Sequence, residues 1–183
     1  HNGAWEPVWL AGYRAGRFAE GVQDDLWVRA FFVNVEDRSV LFISIDLIGY
    51  MFDEVEQAKR EISDISPIKI LPENIFISAT HTHSGPDSIG IWGESGEKSG
   101  KNILYMNFVR EKVLQCALDA VNSMRPVRLK FGKTKLAKPI EDSRPPAVIN
   151  DLLLSISAVD NENKTVATMV NYAVHAEVMD ESN

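Results

Sequence analysis

The chain has 183 residues, 45% of them hydrophobic and 25% charged, and a formal net charge of -7. These proportions exclude a disordered or fibrous protein, and the length predicts a single domain with its own core. Nucleic-acid affinity rests largely on Lys and Arg that neutralise phosphates, so the acidic balance excludes a general nucleic-acid-binding surface. We expect a small-molecule or neutral substrate and no nucleic-acid partner.

The cellular location is constrained by what the sequence lacks. The single cysteine, Cys116, cannot form an intramolecular disulfide and is predicted to be a small buried hydrophobe. No apolar run reaches the length of a transmembrane segment, and the first residues lack a signal-peptide pattern. We therefore expect a soluble protein, with the cytosol favoured.

A glycine-rich segment at residues 5–21 opens the chain. It contains Gly12, Gly16 and Gly21 and shows neither a helical nor a strand period. This pattern predicts an ordered loop. Glycines allow a backbone to approach a ligand closely, but the spacing does not match a phosphate-binding loop.

The next elements predict a hairpin followed by a parallel crossover. Residues 26–35 and 39–47 are predicted to be antiparallel strands, 52–65 an amphipathic helix and 75–77 a further strand. The crossover should be right-handed. Asp46 closes the second strand, where its carboxylate either faces a ligand site or serves as a helix cap or salt-bridge partner.

Two of the four histidines follow the third strand, in Ser78-Ala79-Thr80-His81-Thr82-His83-Ser84-Gly85-Pro86-Asp87. If the strand conformation continues, His81 and His83 lie on one face, because side chains alternate with a period of two. Neutral imidazole is a common zinc ligand, so the pair predicts a metal or catalytic site with zinc as the expected metal. The alternative is that a histidine at a strand end only hydrogen-bonds the next loop.

A long loop at residues 85–101 then leads into a second helix. Loops of this length are usually functional or mobile, so we interpret it as a flap over the site. Trp92 either faces the substrate or anchors the loop. Asn102 is predicted to cap a helix over residues 103–123. The predicted buried stripe of this helix is Leu104, Phe108, Val109, Val113, Leu114, Ala117 and Val121.

The last third of the chain is predicted to be a strand at residues 127–135 and a hairpin of strands 151–159 and 165–174. Residues 138–146 are read as a loop rather than a domain boundary. The final strand leads directly into His175, a third imidazole at a strand end. Together the elements predict an α/β fold: a mixed β-sheet core, in one or two sheets, flanked by two long amphipathic helices and ending in an antiparallel hairpin.

Four segments resemble a known family. They are Thr80-His81-Thr82-His83-Ser84-Gly85-Pro86, Asn171-Tyr172-Ala173-Val174-His175-Ala176-Glu177, Asp24-Asp25-Leu26-Trp27-Val28-Arg29-Ala30 and Ser44-Ile45-Asp46. The sequence is similar in these places to the catalytic domain of the neutral/alkaline, non-lysosomal ceramidases. The resemblance covers most of the chain, and the His-Thr-His-Ser-Gly-Pro segment is its most specific part.

The resemblance implies a zinc-dependent amidase that releases a fatty acid from an N-acyl sphingoid base. By similarity, His81 and His175 would be zinc ligands, and His83 would position the attacked group or the attacking oxygen. The family completes its zinc shell with a glutamate and a tyrosine farther along the chain, where it also has a proposed serine nucleophile. We therefore expect these residues beyond Asn183, in a longer polypeptide, with Asp46 or His83 as local alternatives for completing the site.

The expected function is thus hydrolysis of a lipid or small-molecule amide by a zinc enzyme. One alternative is a non-catalytic metal- or lipid-binding module that keeps the histidine geometry without the later residues. Another is a hydrolase of a different amide or ester on the same scaffold.

Overall fold

The computed structural model describes residues 7–142 and 144–175, which fall into two compact units. The first contains the described residues up to Ser123, and the second is Met124–His175. Helices and strands are combined in the described chain, so the predicted α/β class is confirmed. The single domain stays a prediction, because compactness alone does not decide whether a unit folds by itself.

The first unit is built on a three-stranded sheet in the order β1-β2-β3. Strands β1 (Val28–Val35) and β2 (Arg38–Ile45) are antiparallel, which confirms the predicted hairpin. Its tight turn contains Glu36 in the left-handed region, at φ 56°. Strand β3 (Ile75–Ala79) pairs in parallel with β2, as the crossover predicted. The carboxyl ends of β2 and β3 therefore meet at one edge of the sheet.

Helix α1 (Phe52–Ile65) connects β2 to β3 and has the predicted bounds. Ala58 and Ile62 at its centre are fully buried against the core, whereas Phe52 and Ile65 at its ends are 77% and 48% exposed. Strand β2 is buried at alternate residues and forms the other side of this core. The pattern therefore identified the helix and its central contacts but not the exposure of its ends.

Helix α2 (Ile103–Asn122) begins at the predicted cap, where Asn102 Oδ1 accepts hydrogen bonds from the backbone N–H of Leu104 and Tyr105 at 2.9 and 3.1 Å. The stripe that it buries is Met106, Val109, Val113, Ala117 and Val121. The predicted burial of Leu104 and Phe108 is wrong, since they are 75% and 52% exposed. The reason is geometric: with about 3.6 residues per turn, positions two residues from a buried one lie on the opposite side of the helix.

The core of the first unit brings these elements together. Its buried members come from β2, β3, both helices and the connections around them. They are Leu41, Ile43, Ile45, Leu47, Ala58, Ile62, Ile70, Ile75, Val109, Val113, Ala117 and Val121. Strand β2 and Leu47 after it belong to this packed core. The loops that follow the strands therefore begin at rigidly held positions.

The second unit is an antiparallel sheet of β4 (Arg128–Lys135), β5 (Leu152–Val159) and β6 (Thr165–Tyr172). The predicted final hairpin, β5 and β6, is confirmed. Its turn is held by Asp160, whose Oδ1 accepts hydrogen bonds from the backbone N–H of Glu162 and Lys164, both at 2.9 Å. The predicted loop at 138–146 lies within this unit.

Two further expectations concern Cys116 and the membrane. Cys116 is half-buried, and its thiol donates to the Val28 carbonyl at 3.4 Å. Burial raises the pKa of this thiol, and the nearby Asp119 adds to the effect. Neither helix of the described chain combines the length and the apolar character that crossing a bilayer requires. The cytosolic location stays a prediction.

Candidate functional site

The two neighbouring histidines lie in a tight turn at the end of β3. The strand ends at Ala79, and the Thr80 N–H still bonds to the Ile45 carbonyl at 2.9 Å. His81 then adopts a left-handed backbone conformation at φ 63°. The prediction that a continuing strand would place both imidazoles on one face is therefore wrong, because the chain leaves the extended conformation here. His81 and His83 nevertheless meet edge to face, with ring centroids 5.1 Å apart and planes at 78°.

His81 is exposed but oriented by the backbone. Its Nδ1 lies 2.7 Å from the Ile48 carbonyl oxygen, in the connection that follows β2. A carbonyl only accepts, so Nδ1 carries the proton and the lone pair of the neutral ring is on Nε2. Histidines that bind metals are commonly held in this way, with the other ring nitrogen donating to a carbonyl. This orientation suits His81 as a ligand through Nε2.

His83 is buried, with 7% of its surface exposed. The glycine-rich loop forms one wall around it: a Cβ added to Gly12 would lie 2.6 Å from His83 Cβ and 2.8 Å from its Nδ1. Gly12 also has a φ of 116°, so both space and conformation require glycine. The Tyr13 ring contacts the His83 ring edge to face at 5.2 Å. The orientation of His83 is thus fixed by packing.

Backbone pairing joins the glycine-rich loop to residues 78–88, which we call the histidine segment. Leu10 and Pro86 form an antiparallel bridge, and the Ala11 N–H donates to the Gly85 carbonyl at 3.0 Å. Within the loop, the Arg17 guanidinium lies over the Tyr13 ring at 5.1 Å and is 9% exposed. The expectation of an ordered loop is confirmed over residues 7–21, residues 5 and 6 lying outside the described ones, and contact with His83 explains the glycine at position 12.

Asp87 organises the long loop after the histidines. Its side chain is 1% exposed and accepts four backbone hydrogen bonds, from Ile89, Gly90, Trp92 and Gly100, at 2.7 to 3.1 Å. The loop is therefore closed on itself by one carboxylate. Trp92 takes part through its backbone N–H, one of the four donors, and both alternatives for its half-buried side chain stay predictions.

Asp46 takes the salt-bridge alternative. Its Oδ2 accepts from Arg29 Nη1 at 3.1 Å and from the Trp27 backbone N–H at 3.0 Å. Its own backbone N–H donates to the Trp27 carbonyl at 2.9 Å. The carboxylate therefore binds the start of β1, and these contacts explain its position at the end of β2.

The third predicted ligand, His175, belongs to the second unit. It follows β6 by three residues and is exposed. In the same unit, the Tyr172 hydroxyl donates to the Leu136 carbonyl, which ties the end of β6 to the segment after β4. His175 thus comes from the end of a strand, as predicted. Residues 176 and 177 of the resembling segment lie outside the described residues.

Comparison with known proteins gives a likeness of fold. No protein-family model matches the sequence, and neither does any curated protein. A solved structure of a ceramidase complexed with C2 is 19% identical, with a TM-score of 0.78, over 97% of this chain and 30% of that one. A neutral ceramidase from Pseudomonas aeruginosa is 20% identical, with a TM-score of 0.72, over 97% of this chain and 31% of that one.

The chain therefore spans about three tenths of the length of these two structures. The likeness of fold extends over 97% of this chain and agrees with the resemblance seen in the sequence. Over almost its whole length, this chain has the fold of a part of the neutral ceramidase structures.

Proposed function

We propose that the protein is a zinc-dependent hydrolase of amide bonds, of the ceramidase-like type, that splits an N-acyl sphingoid base into a fatty acid and an amine. His81 and His175 are the proposed zinc ligands, and His83 is the proposed catalytic residue. The observation that carries the proposal is the 2.7 Å contact between His81 Nδ1 and the Ile48 carbonyl, which leaves the lone pair on Nε2.

The donor set of the described chain fits a metal ion. His81 and His83 lie close together, with ring centroids 5.1 Å apart, and His175 is the further imidazole that the proposal adds. Neutral imidazole nitrogen suits zinc better than magnesium or calcium, which prefer oxygen ligands. The fixed ring of His81 supports the proposal, because a preorganised ligand loses little freedom on binding.

Zinc, when bound, would polarise an amide carbonyl and lower the pKa of a bound water from about 15.7 to about 7. His81 and His175 would keep the ion in place through one ring nitrogen each. His83 would orient the reacting group and give or take a proton at a ring nitrogen. Its burial suits this role, because the walls formed by Gly12 and Tyr13 limit the positions that its ring can adopt.

The substrate class rests on the sequence resemblance and on the likeness to the ceramidase folds. Amide hydrolysis is the broader part of the proposal, and the sphingoid base is the narrower part. A substrate panel separates them: a ceramide, an N-acyl amine without a sphingoid base, and an ester of the same acyl chain. We expect the ceramide to be cleaved fastest.

The test uses the full-length protein, with zinc measured by mass spectrometry and fatty-acid release followed by chromatography. We expect about one zinc per chain, and loss of both zinc and hydrolysis in His81→Ala. His83→Ala should keep the zinc but lose most hydrolysis, by about 100-fold or more, as expected for removal of a proton-transfer group.

Thr80→Ala is the matched control, because Thr80 is an exposed neighbour of His81 in the same turn. It should keep wild-type zinc content and rate. Zinc-free active protein, or a His81→Ala variant with unchanged hydrolysis, would show the proposal to be wrong. Zinc binding without turnover of any panel member would instead identify a metal-binding module.

A further inference from the structure

Two consecutive carbonyls in the connection after β2 are held by side chains from the histidine segment. The Ile48 carbonyl faces His81 Nδ1 at 2.7 Å, and the Gly49 carbonyl accepts the Ser88 hydroxyl at 2.6 Å. Ser88 lies seven residues after His81 and is 0% exposed. The segment that orients His81 is therefore clamped at a second point, one residue further on.

The hydrogen bond from Ser88 to Gly49 matters because residues 46–51 form neither strand nor helix. In a regular element, neighbouring backbone groups would fix the direction of each carbonyl. Here the Ile48 peptide would be free to turn about the bonds next to it, and its carbonyl oxygen would then move away from His81 Nδ1. The bond from Ser88 fixes the following carbonyl and so limits that rotation.

Ser88 itself is held rigidly on both sides. Asp87, directly before it, donates its backbone N–H to the Trp9 carbonyl at 2.8 Å and binds four loop N–H groups through its carboxylate. Ile89, directly after it, packs on Gly49 so closely that a Cβ there would lie 2.8 Å from Ile89 Cδ1. The hydroxyl of Ser88 thus has a fixed position from which to hold the Gly49 carbonyl.

We propose that Ser88 is a positioning residue of the metal centre: its hydroxyl fixes the Ile48–Gly49 segment, so that the Ile48 carbonyl keeps His81 in one ring orientation and one tautomer. This inference rests on the proposed zinc site. It adds a residue that touches neither metal nor substrate and acts only through the backbone.

The test compares wild type with Ser88→Ala in the full-length protein by two measurements. Zinc affinity is measured by competition with a chelating dye, and the tautomer of His81 is read from nitrogen-15 NMR of the metal-free protein at fixed pH. Loss of a group that directly orients a metal ligand weakens binding about 10- to 100-fold. Since Ser88 acts one bond further away, we expect about a 10-fold loss of affinity and a mixture of the two His81 tautomers.

Ser123→Ala is the control for removal of a serine hydroxyl. Ser123 also donates to a carbonyl, that of Ala120 at 3.3 Å, but at the exposed end of α2. This variant should keep both the zinc affinity and the His81 tautomer. If Ser88→Ala does not fold, Ser88→Cys keeps the size of the side chain with a weaker donor, and a smaller change in both readouts is expected.

Unchanged zinc affinity and an unchanged tautomer in the folded Ser88 variant would overturn the inference, even if its melting temperature fell. Wild-type protein that binds no zinc would overturn the proposed function. In that case the tautomer measurement still decides the role of Ser88, because it is made without metal.

Discussion

The two sheets of the molecule differ in how much of their surface they bury. In the first unit, β2 buries every second residue, at Ser39, Leu41, Ile43 and Ile45. In the second unit, Ala158 and Val159 are the buried residues among the described strands β4 to β6. The first sheet therefore has a central strand with one fully buried face, whereas most described residues of the second sheet are exposed or only partly buried.

The difference shows which parts of the molecule can hold side chains in precise positions. A loop that follows a fully packed strand starts from a fixed point, and its hydrogen bonds can hold a side chain to a fraction of an ångström. The turn of His81 and His83, the Asp87 loop and the Gly12 contact all lie in the first unit. The second unit contains His175, which follows β6 on a sheet held mainly by backbone pairing.

The largest expected effect is on stability, and it compares truncation of a buried side chain in the first sheet with truncation of an exposed one in the second. Leu41 is 0% exposed in β2 and Phe131 is 74% exposed in β4. Leu41→Ala should lower the free energy of unfolding of the first unit by about 2 to 5 kcal/mol, because it leaves a cavity. Phe131→Ala should change that of the second unit by about 0.5 kcal/mol or less.

Urea denaturation measures both changes. All four tryptophans precede Ser123, so their fluorescence reports on the first unit, and circular dichroism adds the second. Equal losses in the two variants would contradict the contrast between the sheets.

The second prediction compares two aspartates that both accept backbone hydrogen bonds. Asp87 is 1% exposed and serves four N–H donors, whereas Asp160 serves the surface turn between β5 and β6. Asp87→Ala leaves buried donors without an acceptor and should cost about 3 kcal/mol of unfolding free energy, together with most of the hydrolysis. Asp160→Ala should cost about 1 kcal/mol and leave hydrolysis unchanged. Thermal melts and initial rates measure the two effects, and similar rates for both variants would contradict a special role for the Asp87 loop.

The third prediction separates backbone strain from contact with His83. Gly12 and Gly16 both have positive φ, at 116° and 80°, but only the Gly12 position lies within 3 Å of the His83 side chain. Alanine at either position should cost about 1 to 3 kcal/mol of stability. Only Gly12→Ala should also displace His83 and reduce the rate of hydrolysis. Equal rates in the two variants, compared at a temperature where both are folded, would argue against Gly12 as the wall of the site.

The smallest effect concerns Tyr50, next to α1. Burial, together with the Glu54 carboxylate, raises the pKa of Tyr50 to about 12 from an ordinary value of 10.0. The folded state therefore favours the neutral form of Tyr50 more than the unfolded state does. The stability that this difference contributes is fully present below pH 10 and is lost as the pH rises towards 12.

Tyr50→Phe cannot ionise and should lose less stability than wild type between about pH 10 and about pH 12. The Tyr50 hydroxyl has no hydrogen-bond partner among the described residues, so the two proteins should be nearly equal at neutral pH. Unfolding free energies of both proteins across this range test the shift. Parallel curves would show that the Tyr50 pKa is ordinary.

Much of the fold followed from local patterns in the sequence. The 3.6-residue period and the polar flanks predicted α1 from Phe52 to Ile65, and Asn102 identified the start of α2. These features depend on neighbours along the chain. The burial of Met106 rather than Leu104 did not follow, because both fit a helical period and only the position of the sheet selects the face.

The sequence suggested the proposed ligands of the candidate site, but not the residues that support them. His81, His83 and His175 stand out by type and position, whereas the turn at His81 required a left-handed residue that the sequence did not indicate. Gly12 contacts His83 across 71 positions, and Ser88 bonds to Gly49 across 39. Contacts of this kind arise from the tertiary fold, and a glycine or serine alone carries too little pattern to predict them.

The central claim is that the histidine segment binds zinc. X-ray absorption spectroscopy of the zinc-loaded full-length protein tests it most directly, because the spectrum reports the ligand atoms around the metal. The account predicts imidazole nitrogens at about 2.0 to 2.1 Å from zinc in the wild-type protein, and loss of this zinc signal in His81→Ala. A spectrum with oxygen ligands only, or one that His81→Ala leaves unchanged, would contradict it.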